Sequence, residues 1–599
     1  MIYHCEDHTC NYWDEGEKLP ERCPQCGRKL LRANETDMTG DDWTALGNTL
    51  WDAEASDKKR MVDCFRKAAY LGSAWGVCNL GICMEQGNGV EADPVQAFWL
   101  YQQAVEMGSL NAVCCLGVCY EYGIGTAPDA EKAAELYCKA AEYGSPRGQM
   151  LLARAFHDGI GVEADAAEAV YWVRAAAYQR YGEGMYRLGV CYAYGDGVEQ
   201  NWERAVHWFR EAAESGVSVA MTDLGYCYEK GCGVEQSWEQ AFSWYRRGAE
   251  CGNLQSMHNL GYCYEKGCGV EQSWEQAFSW YRRGAECGYP VSMSNLGLCY
   301  KRGYGVEQNW QEAIKWYEQG AQCGDLQSMH NLACCYERGE GVEQNEERAL
   351  YWYRRGAEAG SDYCMYCLGW NYSNGEGVEQ NMTEAIRWYT AAAEGGNADA
   401  MHDLGWHYDH GEGVEQDMKK AICWYERAAE QNHPAAMNSL GECYAMGRGV
   451  PRDLETAMEW YRRAAELGEA MADYNMGWHL EQAGKLSEAY AHYRKAADGN
   501  DDSAWWALGR FYENGVVVAQ DGKEARRCYE TGEKLGSVKC KMRLARCKLL
   551  GIGGRRAKKV GLDLCRQALE LAKESSEKED YGYEAEMNLL RRTIAENES

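Results

Sequence analysis

A leucine returns every 36 residues along most of this chain. Leu80, Leu116, Leu152, Leu188, Leu224, Leu260, Leu296, Leu332, Leu368, Leu404 and Leu440 stand in strict register, and Met476 continues it. Glycine follows each of them except at Ala153 and Ala333. A fixed period of roughly 20 to 50 residues predicts stacked copies of one supersecondary unit, and this outranks local propensity. Looser copies begin at Leu46, Leu508 and Leu544, so about fifteen units are expected. In one place the duplication is literal: Leu224–Gly252 and Leu260–Gly288 are identical.

The unit Ser256–Gly288 reads as two helices. Met257, Leu260, Cys263 and Tyr264 recur at helical spacing and define a first helix, A. Gly267 and Gly269 then break it, because glycine takes the left-handed conformation a helix end needs. Ser273 suits the N-cap of a second helix, B, and Gln276 stands where a capping box requires it. Ala277, Trp280, Tyr281 and Ala285 form the apolar stripe of B, which Gly288 ends. Short connections predict antiparallel neighbours, and a lone helical hairpin cannot cover its own apolar face. The expected fold is therefore all-α, an α-solenoid of about fifteen antiparallel helix pairs over residues 43–575. A C-terminal capping helix is expected within 576–599, where Glu584–Ile594 is amphipathic.

The motif Ala-x-x-x-Leu-Gly-x-x-Tyr-x-x-Gly-x-Gly-Val, followed by Ala-x-x-Trp-Tyr-x-x-Ala-Ala-x-x-Gly, resembles the Sel-one-like repeat. That repeat is a longer relative of the tetratricopeptide repeat. The resemblance implies a right-handed superhelix of helix pairs that binds other proteins. Leu46–Gly72 and Met476–Gly499 depart from it, since both lack the Gly-Val-Glu-Gln loop.

Residues 1–30 lie outside the period. Cys5, Cys10, Cys23 and Cys26 read C-x4-C-x12-C-x2-C. Four thiolates suit tetrahedral zinc, and the Cys23-Pro-x-Cys-Gly half resembles the knuckles of zinc ribbons and rubredoxin-like domains. The first half is longer than the usual C-x2-C, and His8 is a rival to Cys10. One structural zinc in an N-terminal zinc ribbon is expected; a redox iron site or no metal are the alternatives. Residues 31–42 are expected to be a linker.

The net charge is −30, which repels nucleic acid and anionic membrane and favours a basic partner. Neither a secretory signal nor an apolar run long enough to span a bilayer is visible. With 30 cysteines, the expectation is a cytoplasmic chain with reduced thiols rather than a disulfide framework. The cysteines three after the motif leucine, Cys83 to Cys547, read as small core residues. Cys251, Cys287 and Cys323 read as packing residues too, and so does the Trp172–Trp460 series, one per unit.

No nucleophile–base pair, phosphate loop or paired carboxylate appears, so an enzyme is not expected. The candidate site is the position two after the motif leucine, which faces the inner groove in tetratricopeptide relatives. Here it carries Tyr226, Tyr262, Trp370, Trp406 and Trp478. Aromatic residues at an exposed position mark interaction surfaces; packing between neighbouring A helices is the competing explanation. His258, His330 and His402 fall two before the leucine, and Asn259, Asn295 and Asn331 directly before it. In the relatives an Asn there can hold a peptide backbone. The resulting expectation is a non-enzymatic scaffold that holds a protein or peptide in its groove. The alternative is a zinc-ribbon regulator that contacts nucleic acid or transcription machinery.

Overall fold

The computed structural model describes residues 2–5, 13–15, 30–33, 38–51, 55–578 and 583–598. The chain forms two compact units, Met1–Asn309 and Trp310–Ser599. Each is a stack of antiparallel helix pairs. Among the described residues each unit holds seven such pairs, from Gly40–Thr49 with Ala55–Tyr70 to Val538–Leu550 with Lys558–Lys578; helix Pro290–Arg302 ends the first unit and Trp310–Gln322 begins the second.

Local chemistry sets the length of each helix. In the unit that begins at Leu254, Asn253 caps helix A (Leu254–Lys266) by accepting from the Ser256 N–H at 2.8 Å. Gly267 ends it at φ +72°. Gly269 is also left-handed, and a Cβ there would lie 2.2 Å from the Trp238 carbonyl oxygen of the preceding unit. The Gln of the Gly-Val-Glu-Gln loop closes the turn: Gln272 Nε2 donates to the Glu265 carbonyl at 2.8 Å. Helix B (Trp274–Glu286) starts at Ser273, which accepts from the Gln276 N–H at 3.3 Å. The expected capping box is only half realised there, since the Ser273 hydroxyl donates to Glu275 instead. A full box forms at Thr39 and Asp42, where the first helix begins.

The core runs between neighbours. Met257, Leu260 and Cys263 of one A helix pack on Ala241, Tyr245 and Ala249 of the B helix before it. Close approach depends on small residues: a Cβ on Gly248 would sit 2.3 Å from Ser256 Oγ.

Two expectations about buried residues need correction. The tryptophan series packs against the core from its margin, as at Trp172, Trp208, Trp280, Trp424 and Trp460, and only Trp244 is buried outright. The residue that fills the unit is the tyrosine after it: Tyr245, Tyr281, Tyr389, Tyr425 and Tyr461 are all fully buried. Each such tyrosine lies on helix B with its edge on the motif glycine, whereas the tryptophan sits at the rim under an arginine, as Arg427 lies 4.3 Å over Trp424. Cys251, Cys287 and Cys323 are exposed rather than packed, because they follow the last turn of helix B and point away from its stripe. The ladder cysteines do lie in the core, apart from the half-buried Cys191.

At the N-terminus three short antiparallel strands, β1 (Ile2–Cys5), β2 (Trp13–Glu15) and β3 (Leu30–Ala33), form a sheet in the order β2-β1-β3. The expected linker is thus strand at 31–33 and helix from Gly40. Cys10, Cys23, Cys26 and the rival His8 lie outside the described residues, and of Cys5 only the backbone is described. The C-terminal cap is present as Glu584–Glu598, with Met587 and Leu590 packed on Met542, Leu549 and Cys565.

Candidate functional site

Within each unit of the fold, the open face of an A helix is a stripe with spacing i, i+4, i+7 and i+11. On Leu254–Lys266 it comprises Gln255, Asn259, Tyr262 and Lys266. The position two after the motif leucine is its centre. Tyr226 is 47% and Tyr262 40% exposed in the first unit; in the second, Trp370 is 47% exposed and Trp406 and Trp478 each 37%. These rings are therefore not consumed by packing between A helices. Lys230 and Lys266 extend one turn further on, each 5.9 Å from the ring of Tyr226 or Tyr262. Trp406 is stacked 4.3 Å from His410, and Trp478 meets the buried His479 edge-on at 4.8 Å.

The histidines stand behind this row and are half-buried. His258 is wedged between Tyr281 of its own B helix and Tyr289 of the next unit, with ring centroids 5.6 and 5.9 Å away. Burial holds its pKa down at about 4, so the ring is neutral near pH 7. Its Nδ1 lies 3.5 Å from Asn295 Nδ2. His330 sits likewise between Tyr353 and Tyr363, while Asn331 accepts from Gln327 at 3.2 Å. His402 is stacked on His433 at 5.2 Å and bonded to Asp403 at 3.0 Å. Asn259 is half-buried. The structure thus brings Tyr226, His258, Asn259, Tyr262 and Asn295 together in one unit, and His330, Asn331, Trp370, His402, Trp406 and Trp478 in the other. In both, the aromatic residues are the exposed layer and the histidines join adjacent repeats.

Two groups escaped the sequence reading. The stripe extends through Tyr194, Tyr363, Met446 and Met471, all at least 49% exposed; their spacing from the motif leucine was the available signal. Behind it lies a half-buried acid: Tyr281 Oη donates to Glu265 Oε2 at 2.8 Å, and the pair recurs at Tyr101–Glu85, Tyr245–Glu229, Tyr493–Glu481 and Tyr529–Glu513. No cluster of three or more metal-ligating side chains occurs among the described residues. Nor does any of their helices have the length and apolarity to cross a membrane.

The Sel1 repeat pattern matches thirteen consecutive segments between residues 76 and 537. The chain belongs to the Sel1 repeat family. The first and last helix pairs, outside those segments, are divergent copies of the same unit. Among solved structures, the chain is similar to a protective antigen present in uropathogenic Escherichia coli strains and displaying an SLR fold. The two share 32% identity with a TM-score of 0.52, over 75% of this chain and 97% of that one. It is also similar to a Sel1 repeat protein from Oxalobacter formigenes at 27% identity and a TM-score of 0.40, over 51% of this chain and 89% of that one. No curated protein matches the chain. Sel1 repeats build a solenoid typical of protein-interaction scaffolds and are generally non-enzymatic.

Proposed function

We propose that this protein is a non-enzymatic scaffold whose A-helix faces hold a protein or peptide partner. The observation that carries the reading is the aromatic row left open at one register position, in a fold whose members generally bind proteins. An exposed Trp or Tyr presents large area at small entropic cost and is over-represented among binding hot spots. The net charge of −30 adds a long-range preference for a basic partner. The test is capture from a cytoplasmic extract on the immobilised full chain, compared with Trp370→Ala/Trp406→Ala. A partner lost from the variant while its melting temperature is unchanged supports the reading; an identical captured set overturns it.

The N-terminal segment is proposed to hold one structural zinc through Cys5, Cys10, Cys23 and Cys26. Cys5 ends β1, and its register partner Leu30 opens β3 four residues after Cys26. The last residue of β1 and the first of β3 therefore meet at one end of the sheet. Thiolates from two turns close a tetrahedral site without an open position for chemistry. Metal analysis of the full chain should return one zinc, lost on Cys23→Ser/Cys26→Ser; a metal-free chain overturns the proposal.

A further inference from the structure

Among the thirteen matched repeats, one lacks its central ring. In the unit that begins at Pro146, the residue that elsewhere is the buried tyrosine or phenylalanine of helix B is Val173, and the motif glycine opposite is Ala153. The extra methyl of Ala153 replaces little of the missing ring. A cavity of about 410 Å³ opens there, floored by Ala153, Val170 and Val173 and walled by the A helices Pro146–Asp158 and Gly182–Tyr194. This volume falls within the range of ligand-binding pockets, about 300–1,000 Å³.

Three guanidinium groups reach this cavity in a chain of strongly negative charge: Arg147, Arg154 and Arg187. Arg154 pairs with Glu121 of the preceding A helix. Arg147 donates to Cys115 Sγ at 3.7 Å. Neither Arg147 nor Arg187 has an ion pair among the described residues. On the rim, His157 takes up Asp158 at 2.6 Å and Asp196 at 3.2 Å, and Glu183 removes part of the positive charge.

We propose that this cavity receives a glutamate side chain of a partner peptide, with its carboxylate on Arg187 and an adjoining aliphatic side chain in the space the missing ring leaves. The chain itself supplies the precedent. In the second unit Arg510 occupies the register position of Arg154, and Arg543 that of Arg187. Arg510 pairs with Glu481 at 2.7 Å as Arg154 does with Glu121. Arg543 then holds a helix-borne glutamate in a two-pronged contact, its Nε and Nη2 each 2.6 Å from the Glu586 carboxylate. Met587, next to that glutamate, packs into the apolar cluster below. The same arginine pair in the first unit has no such glutamate from the described residues, and has an apolar cavity beside it. Where Lys539 assists in the second unit, Glu183 stands in the first, so the apolar cavity must contribute a larger share of the affinity. The proposal is independent of the aromatic row.

The test is calorimetric titration of the full chain with a short blocked helical peptide carrying one glutamate among leucines and alanines, and with its glutamine twin. The glutamate peptide should bind at least about tenfold tighter, the usual consequence of losing a charge-assisted pair. Ala153→Gly/Val173→Tyr restores the glycine–tyrosine pair of the other repeats and fills the cavity. It should fold normally and bind the peptide at least about tenfold more weakly. Arg187→Gln should show a similar loss. Equal affinity for the two peptides, or undiminished binding by the filled variant, overturns the proposal. So does binding of 4-methylvalerate, a free carboxylic acid, without binding of the peptide.

Discussion

Gly261 meets the edge of the Tyr281 ring: a Cβ on this glycine would fall 2.6 Å from Tyr281 Cε1. The contact recurs at Gly81–Tyr101, Gly225–Tyr245, Gly405–Tyr425 and Gly509–Tyr529. It explains the Leu-Gly pair of the repeat. The hydroxyl of the ring is held on Glu265 at 2.8 Å, against 3.2 Å for Tyr353 on Glu337 in the repeat where Ala333 takes the place of the glycine. On helix propensity alone, Gly261→Ala would stabilise by about 1 kcal/mol. Overpacking costs about 1–3 kcal/mol, so a net loss of stability is expected in denaturant melts. In a cycle with Tyr281→Val, which recreates the Ala153–Val173 combination, the two costs should be non-additive by about 1 kcal/mol or more.

Tyr281→Phe keeps the ring and deletes the hydroxyl. Glu265 Oε2 then loses its donor in a half-buried site while Lys266 stays on Oε1 at 2.8 Å, at a cost of about 1–3 kcal/mol. Glu265→Gln, which can still accept a hydrogen bond from the tyrosine, should cost less. Urea midpoints of the two variants check the order.

His258 makes stability depend on pH. Its folded-state pKa is about 4, below the ordinary 6.5, because burial disfavours the charged ring. Between these values the unfolded chain binds a proton that the folded chain does not. Its contribution is therefore complete above pH 6.5, falls as the pH drops, and levels off below about 4. The difference in urea midpoint between the wild type and His258→Gln should shrink from pH 7.5 to pH 5.

Cysteine reactivity should divide the chain. Cys251, Cys287 and Cys323 are exposed and should react with a bulky thiol reagent at the rate of a small peptide. Cys83 and Cys263 are buried, and burial pushes their pKa up to about 11 and about 12. Few of these groups are thiolate at neutral pH, and the reagent cannot reach them. They should label only on partial unfolding, which peptide mapping would resolve.

The last helix is fastened by charge. Arg543 and Glu586 are both largely buried, and Trp506 Nε1 also donates to Glu586 at 3.3 Å. Removing one partner of a buried pair costs about 3–5 kcal/mol. Glu586→Gln should therefore speed amide exchange in Val538–Leu550 and Glu584–Glu598 and leave the first repeats unchanged.

Much of this architecture is legible without coordinates because its signals are local. The 36-residue register, the glycines after each A helix and the Ser273 cap act over a few residues, and each appears where the sequence places it. The aromatic row could be found in the same way, from one register position. Its exposure could not, because Tyr262 and Cys263 are adjacent in sequence and equally compatible with a core, yet only Cys263 is buried.

Contacts between distant residues required the tertiary structure. Whether Trp280 or Tyr281 fills the unit depends on which ring meets Gly261, twenty residues back. The pairing of Arg543 with Glu586 spans 43 residues. The cavity at Val173 exists because no side chain of the neighbouring helices takes the place of the ring that this repeat lacks. Periodicity determines which faces of a helix are apolar; the angle and distance at which the next helix arrives decide which side chains on those faces are covered, and that depends on side chains from both partners at once.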